Sequence, residues 1–170
     1  MKGKSRSGAS RKLKGADLKE QFEQLQALHP KDLEIRDKQG KLVHLEPNAS
    51  QAAFAEKAGR RNIVLKARQV GITTWVAARF FLATIQNPGT MTVQVAHDHS
   101  SAEAIFRIVH RFLENLPEEV RRGALKTSRA NVRQIRFSAL DSEYRVESAA
   151  DLNAGRGLRP RRCIAAAASL

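Results

Sequence analysis

The chain has 170 residues, 42% of them hydrophobic, with 30 Lys+Arg against 17 Asp+Glu and a formal net charge of +13. That length suits one domain or part of a larger one, and the apolar share is enough for a core and argues against wholesale disorder. No apolar run approaches the ~20 residues of a membrane helix, no apolar stretch follows the basic N-terminus as in a secretory signal, and the single cysteine, Cys163, makes neither an internal disulfide nor a zinc cluster. Composition therefore describes an intracellular, soluble, basic chain.

Residues 1–14 hold six basic residues (Lys2, Lys4, Arg6, Arg11, Lys12, Lys14) and no acidic one. With Gly and Ser interspersed, residues 1–15 read as a disordered arm. Clustered cations attract polyanions, mainly by displacing counterions condensed on nucleic acid. A solvated tail that keeps the chain soluble explains the same residues. Residues 15–120 carry 13 basic and 13 acidic residues, and residues 121–170 carry 11 and 4, so a neutral middle lies between two cationic flanks. One Trp, one Tyr and seven Phe offer few rings on which single-stranded bases would stack.

Leu18, Phe22, Leu25 and Leu28 recur at helical spacing and predict an amphipathic helix over 16–29, ended by Pro30. LEIRD and KLVHL flank Lys38-Gln39-Gly40 as a strand, tight turn and strand. Ser50 is placed to cap a short helix that runs to Lys57. Residues 62–65, Asn-Ile-Val-Leu, form a short β-branched run read as a buried strand feeding a loop. Residues 73–86 are apolar on nearly every side, as in a helix packed between layers, and Asn87-Pro88-Gly89 stops them. Residues 91–96 read as a second buried strand. Ala102, Ile105, Phe106, Val109, Phe112, Leu113 and Leu116 form the cleanest helical stripe in the chain. Residues 132–137 and 144–147 alternate polar and apolar around 138–142, as a half-exposed hairpin would.

Strand, loop, helix, strand, helix implies a βαβα unit, in which ligands bind at the carboxyl ends of parallel strands. The loop at 66–74, Lys-Ala-Arg-Gln-Val-Gly-Ile-Thr-Thr, lies at such an end. A phosphate-binding loop of the form G-x-x-x-x-G-K-[ST] offers amides and a helix N-terminus to phosphates, a lysine to the β/γ-phosphates and a hydroxyl to Mg²⁺. With Gly71 as the second glycine, Thr73 takes the hydroxyl position, Ile72 the lysine position and Lys66 that of the first glycine. The pattern departs from the regular form, yet two hydroxyls open the helix and two cations lie in the loop. Lys66 is able to act as a point charge from the loop's opposite end, and Arg68 to add a forked contact to a γ-phosphate oxygen. On form alone, an ordinary strand-to-helix turn with threonine capping and two solvated cations fits equally.

Residues 62–74, NIVLKARQVGITT, resemble the deviant Walker A region of the large terminase subunit of tailed bacteriophages, an ATPase motor that packages DNA. Leu45-Glu-Pro-Asn-Ala-Ser-Gln51 resembles that family's adenine-binding segment, which implies Gln51 on the base. Thr92-Val-Gln-Val-Ala-His-Asp98 and the helix at 102–116 resemble its second strand and helix, and Asn153-Ala-Gly-Arg-Gly157 the glycine-rich stretch before its Walker B strand.

The resemblance implies an α/β fold: an incomplete, RecA-like P-loop NTPase with a parallel sheet flanked by helices, preceded by the helix and hairpin. It places that domain at 16–157. It also implies ATP and Mg²⁺ as cofactors. Lys66, Ala67, Arg68, Gln69, Val70, Gly71, Ile72, Thr73 and Thr74 would cradle the nucleotide, with Lys66 and Arg68 as the catalytic cations and Thr73 on the metal. Double-stranded DNA, a portal and the small terminase subunit are the partners it implies, in the cytoplasm of a bacterial host, with oligomers formed by the full-length family member only.

After Gly157 the family continues with an apolar strand ending in an acidic pair. This chain has LRPRRCIAAAASL, and Asp151 is its last acidic residue. Residues 158–170 are therefore expected to be a basic, Ala-rich tail outside the family frame, from a truncation, a frameshift or a misread gene end, with a genuine basic tail of a nucleic-acid-binding protein as the alternative. Without the Walker B carboxylate, weak nucleotide binding and no turnover are expected. Because the family places later strands between the first two, unpaired edges and poor solubility are expected as well. Two other readings are a non-enzymatic nucleic-acid-binding protein and a nonfunctional gene remnant. His97-Asp98-His99 lacks a third metal ligand at a useful spacing. Asp151, Glu143 and Glu147 read as solvated strand positions, Arg156 as either a phosphate contact or a solvated loop residue, and Trp75 and Phe80 as core.

Overall fold

A computed structural model describes residues 15–37, 39–59, 62–64, 70–131, 133–151 and 162–168. Helix α1 (Gly15–Gln26) and a 3-10 turn (Pro30–Asp32) lead into a two-stranded antiparallel ribbon, β1 (Glu34–Arg36) and β2 (Leu42–His44). Helix α2 (Ala49–Lys57) follows, then α3 (Ile72–Gln86), β3 (Thr90–Ala96), α4 (His99–Glu114) and a short α5 (Glu118–Arg122). Strands β4 (Thr127–Asn131), β5 (Gln134–Phe137), β6 (Ser142–Ser148) and β7 (Arg162–Ala168) complete a five-stranded sheet in the order β4-β5-β6-β3-β7. Strand β3 runs parallel to both β6 and β7, whereas β5 runs antiparallel to its neighbours β4 and β6, so the sheet is mixed.

The helical stripe and dense apolar run forecast for the middle of the chain are α4 and α3. Phe81 of α3 and Phe112 of α4 meet with ring centroids 5.9 Å apart, and both helices pack side by side on one face of β3 and β6. Tyr144, Val146, Ile105, Val109, Phe81 and Ile85 are fully buried between them. A Leu or Phe side chain buried in this way stabilises the fold by about 1.5–3 kcal/mol relative to an exposed one. The N-terminal lead-in is tied to this core by Gln86, whose Nε2 donates to the carbonyls of Leu25 (3.0 Å) and Leu28 (2.7 Å).

Five expectations are corrected. Residues 62–64 are in no strand: Ile63 is 96% and Val64 40% exposed. A short apolar run becomes a buried strand only when an edge receives it, and both edges of β3 are already taken by β6 and β7. Residues 162–168, grouped with the tail on sequence, form β7 and pair with β3 from Thr90↔Arg162 to Ala96↔Ala168. Strand β6 is not half-exposed, because it is sandwiched between β5 and β3 with Ser142, Glu143, Tyr144, Val146 and Ser148 buried. Glu143 consequently leaves the solvent and pairs with Arg145 on the same face of the strand. Finally, α2 is capped by Asn48, two residues before Ser50.

Candidate functional site

The carboxyl ends of β3 and β6 lie side by side, with Ala96 opposite Ser148 and the Ala149 N–H donating to the Ala96 carbonyl at 2.7 Å. The chain leaves β3 through His97 and Asp98. Asp98 caps α4, its Oδ1 accepting the Ser101 N–H at 2.6 Å, and that backbone bond holds its carboxyl below the usual carboxylate range. Its Oδ2 meets His97 Nε2 at 2.7 Å. Behind this turn, Arg133 Nη1 donates to Asp151 Oδ2 (2.8 Å) and Arg133 Nη2 to His99 Nδ1 (3.1 Å). Arginine only donates, so Nδ1 is the accepting nitrogen, and the proton sits on Nε2, which faces Asp151 Oδ1 at 3.7 Å. Among the described residues no three His, Cys, Asp or Glu side chains converge on a point that would hold a metal ion. His97, Asp98 and His99 thus serve a helix cap and an Arg–Asp–His cluster. Arg133 and Asp151 join it from positions far apart in the chain, so no local pattern announces them.

The other end of the candidate site is the head of α3. Gly71 is its N-cap at φ +75°, a left-handed conformation, and its carbonyl accepts the Trp75 N–H at 3.1 Å to open the helix. No side chain among the described residues caps the first-turn amides, and N–H groups at a helix start are of the kind that bind anions. Ile72 and Thr73 are buried at 7% exposure each, while Val70, Gly71 and Thr74 are half-buried. Thr74 is therefore the more accessible of the two hydroxyls that open the helix. Lys66, Ala67, Arg68 and Gln69 lie outside the described residues, as do Arg156 and the rest of residues 153–157.

Helix α2 delivers Asn48 and Gln51 to this junction. The two form a reciprocal capping box: Asn48 Oδ1 accepts the Gln51 N–H (3.0 Å) and Gln51 Oε1 accepts the Asn48 N–H (2.9 Å). Their remaining donors cross to the loop, Asn48 Nδ2 to the Val70 carbonyl (3.1 Å) and Gln51 Nε2 to the Gly71 carbonyl (2.9 Å). Gln51 is 4% exposed. Trp75 is buried at 6% exposure, its Nε1 without a partner among the described residues, and Phe80 packs half-buried against the core. The contribution of Asn48 was missed on sequence, although Asn-x-x-Gln is the signature of a capping box.

A groove of about 710 Å³ lies at the opposite end of α3, between Phe22, Gln26, Gln86, Pro88 and Leu140. No helix among the described residues is long and apolar enough to cross a membrane. No protein-family model and no curated protein matches the chain.

Proposed function

We propose that this chain is the nucleotide-binding part of a P-loop ATPase of the large-terminase kind, which binds ATP with Mg²⁺ in the cytoplasm of a bacterial host and belongs to a machine that moves double-stranded viral DNA. The observation that carries the reading is the head of α3: a glycine in the left-handed conformation followed closely by two threonines, with no side chain among the described residues capping the helix amides. A triphosphate fits there, because the first-turn N–H groups and the positive end of the helix supply fixed partial charges of the right sign. Lys66 and Arg68, which precede the helix in sequence, would add cations, and Thr74 or Thr73 a hydroxyl. The parallel trio β6-β3-β7 and the resemblance of residues 62–74 support the same reading.

The metal fits less completely than the phosphates. Mg²⁺ in such sites is held by one or two carboxylates together with phosphate oxygens, and the seven residues of β7, Arg162–Ala168, contain no carboxylate. The bound metal would supply charge neutralisation at the bridging oxygens. This chain's own residues bind and orient the phosphates, and the expected outcome is binding without turnover. The test is calorimetric titration of the full chain with MgATP. Wild type binds, Lys66→Ala and Thr73→Ala bind at least tenfold more weakly, and no phosphate is released above background. Equal affinity in all three proteins would remove the loop from the site.

One observation favours a second reading, a nucleic-acid-binding role without catalysis: the charge of +13 sits in two flanks around a neutral middle. Under that reading duplex binding is steeply salt-dependent and indifferent to nucleotide.

A further inference from the structure

Both ends of the Gln51 amide are engaged inside the protein, and this changes what the residue does for a ligand on α3. We propose that Asn48 and Gln51 are positioning residues that clamp the turn at the head of α3, and that the site therefore selects for a triphosphate chain and not for the base it carries. The proposal rests on the nucleotide reading above and deepens it.

An amide that reads adenine presents one donor and one acceptor together to the edge of the base, as Asn and Gln do in DNA grooves. Gln51 Oε1 already accepts from Asn48 N and Nε2 already donates to the Gly71 carbonyl, at 2.9 Å each. One lone pair and one hydrogen remain, but on a side chain only 4% exposed. A base would reach them only after the clamp opened and two part-buried bonds were given up. The clamp has a use where it stands. The Gly71 carbonyl is the one that accepts the Trp75 N–H and begins α3, so the bond from Gln51 holds the first peptide of the helix in place. Asn48 holds the preceding carbonyl, that of Val70. Two consecutive peptides are thus fixed from α2, and the amides behind them are pre-oriented for an anion, which lowers the ordering cost of binding. The fit is close: a Cβ on Gly71 would come within 2.8 Å of Gln51 Nε2.

The experiment uses the full chain and three probes: MgATP, MgGTP and inorganic tripolyphosphate. Gln51→Ala is expected to weaken all three by a common factor, about five- to tenfold, and to leave the ratio of ATP to GTP affinity unchanged. Loss of ATP alone, with GTP and tripolyphosphate bound as in wild type, overturns the proposal, because Gln51 then reads adenine. A second measurement needs no ligand. Gln51→Glu keeps an oxygen for the Asn48 N–H, and so keeps the α2 cap, but has no hydrogen for the Gly71 carbonyl. Amide exchange at residues 72–75 is expected to speed up while α2 is unaffected, and unchanged exchange at Trp75 overturns the clamp. Should wild type bind none of the three probes, the nucleotide reading and the indifference to base fall together, and the exchange result alone decides the clamp.

Discussion

Gly71 shows how one residue type follows from two independent constraints. Its φ of +75° costs a residue with a Cβ about 1–2 kcal/mol, and the Cβ would also collide with the Gln51 amide. Gly71→Ala is therefore expected to lower the urea midpoint by more than the backbone term alone, with an unchanged slope, since Gln51 must release the carbonyl it holds. Asp98 gives a prediction in pH. The Ser101 N–H favours its ionised form and depresses its folded pKa, so the capping contribution is complete above the ordinary value of 3.8 and disappears as the pH falls through the lower folded value. The stability gap between wild type and Asp98→Ala should be constant above the ordinary value and close as the pH falls from there through the lower folded value, as measured by thermal unfolding across pH 2–6. At this scale the sequence was readable where the chemistry is local. The helix expected after Gly71 does begin there, with Gly71 as its N-cap and Thr73 and Thr74 in its first turn, and Asn48 could have been found from its spacing to Gln51. Ser50 looked equivalent because Ser and Asn cap equally well, and only the register of α2 separates them.

Elements that carry their own periodicity were legible, and those made by their neighbours were not. Helix α4 announces itself because seven apolar residues fall on one stripe, and α3 because its apolar density suits burial against both the sheet and α4. Strand β7 does not, because Pro160, the arginines and a run of alanines have no strand signature. Its extended backbone follows from the free edge of β3, a non-local fact. The converse holds for residues 62–64, which have a strand's composition and are in no strand. Strand β6 owes its burial to the same cause, since insertion between β5 and β3 puts Tyr144 at 0% exposure. Burial drives the Tyr144 pKa far above its usual value, so the hydroxyl stays protonated and donates to Gln94 Oε1 at 2.7 Å. Gln94 Nε2 has no partner among the described residues. Tyr144→Phe should therefore cost about 1–3 kcal/mol, because it leaves the Gln94 oxygen unsatisfied as well. Adding Gln94→Leu should recover most of that loss. A double-mutant cycle in urea checks both numbers, and simple additivity would show that the pair is not coupled.

For the whole molecule, the arrangement of charge around the fold matters more than its total. The core of the chain is electrically balanced, and the charge excess lies in residues 1–14 and beyond residue 120. Many cations of the folded part are already paired, Arg133 with Asp151, Arg145 with Glu143 and Arg122 with Glu118, which reduces what they can offer a polyanion. The N-terminal flank has no acidic residue among its fourteen, so it contains no carboxylate side chain of its own to offset its charge. If duplex DNA is the polyanion, each phosphate neutralised contributes about 0.9 to the slope of log affinity against log salt. Replacing the six basic residues of 1–14 by Gln in the full chain should then flatten that slope by up to about 5, and leave MgATP affinity and the thermal unfolding midpoint as in wild type. Binding isotherms on a short duplex between 50 and 300 mM salt measure the slope directly. An unchanged slope would assign the DNA contacts to the cations beyond residue 120. A flattened slope with weakened ATP binding would mean that the arm touches the nucleotide site and does not act as an independent electrostatic tether.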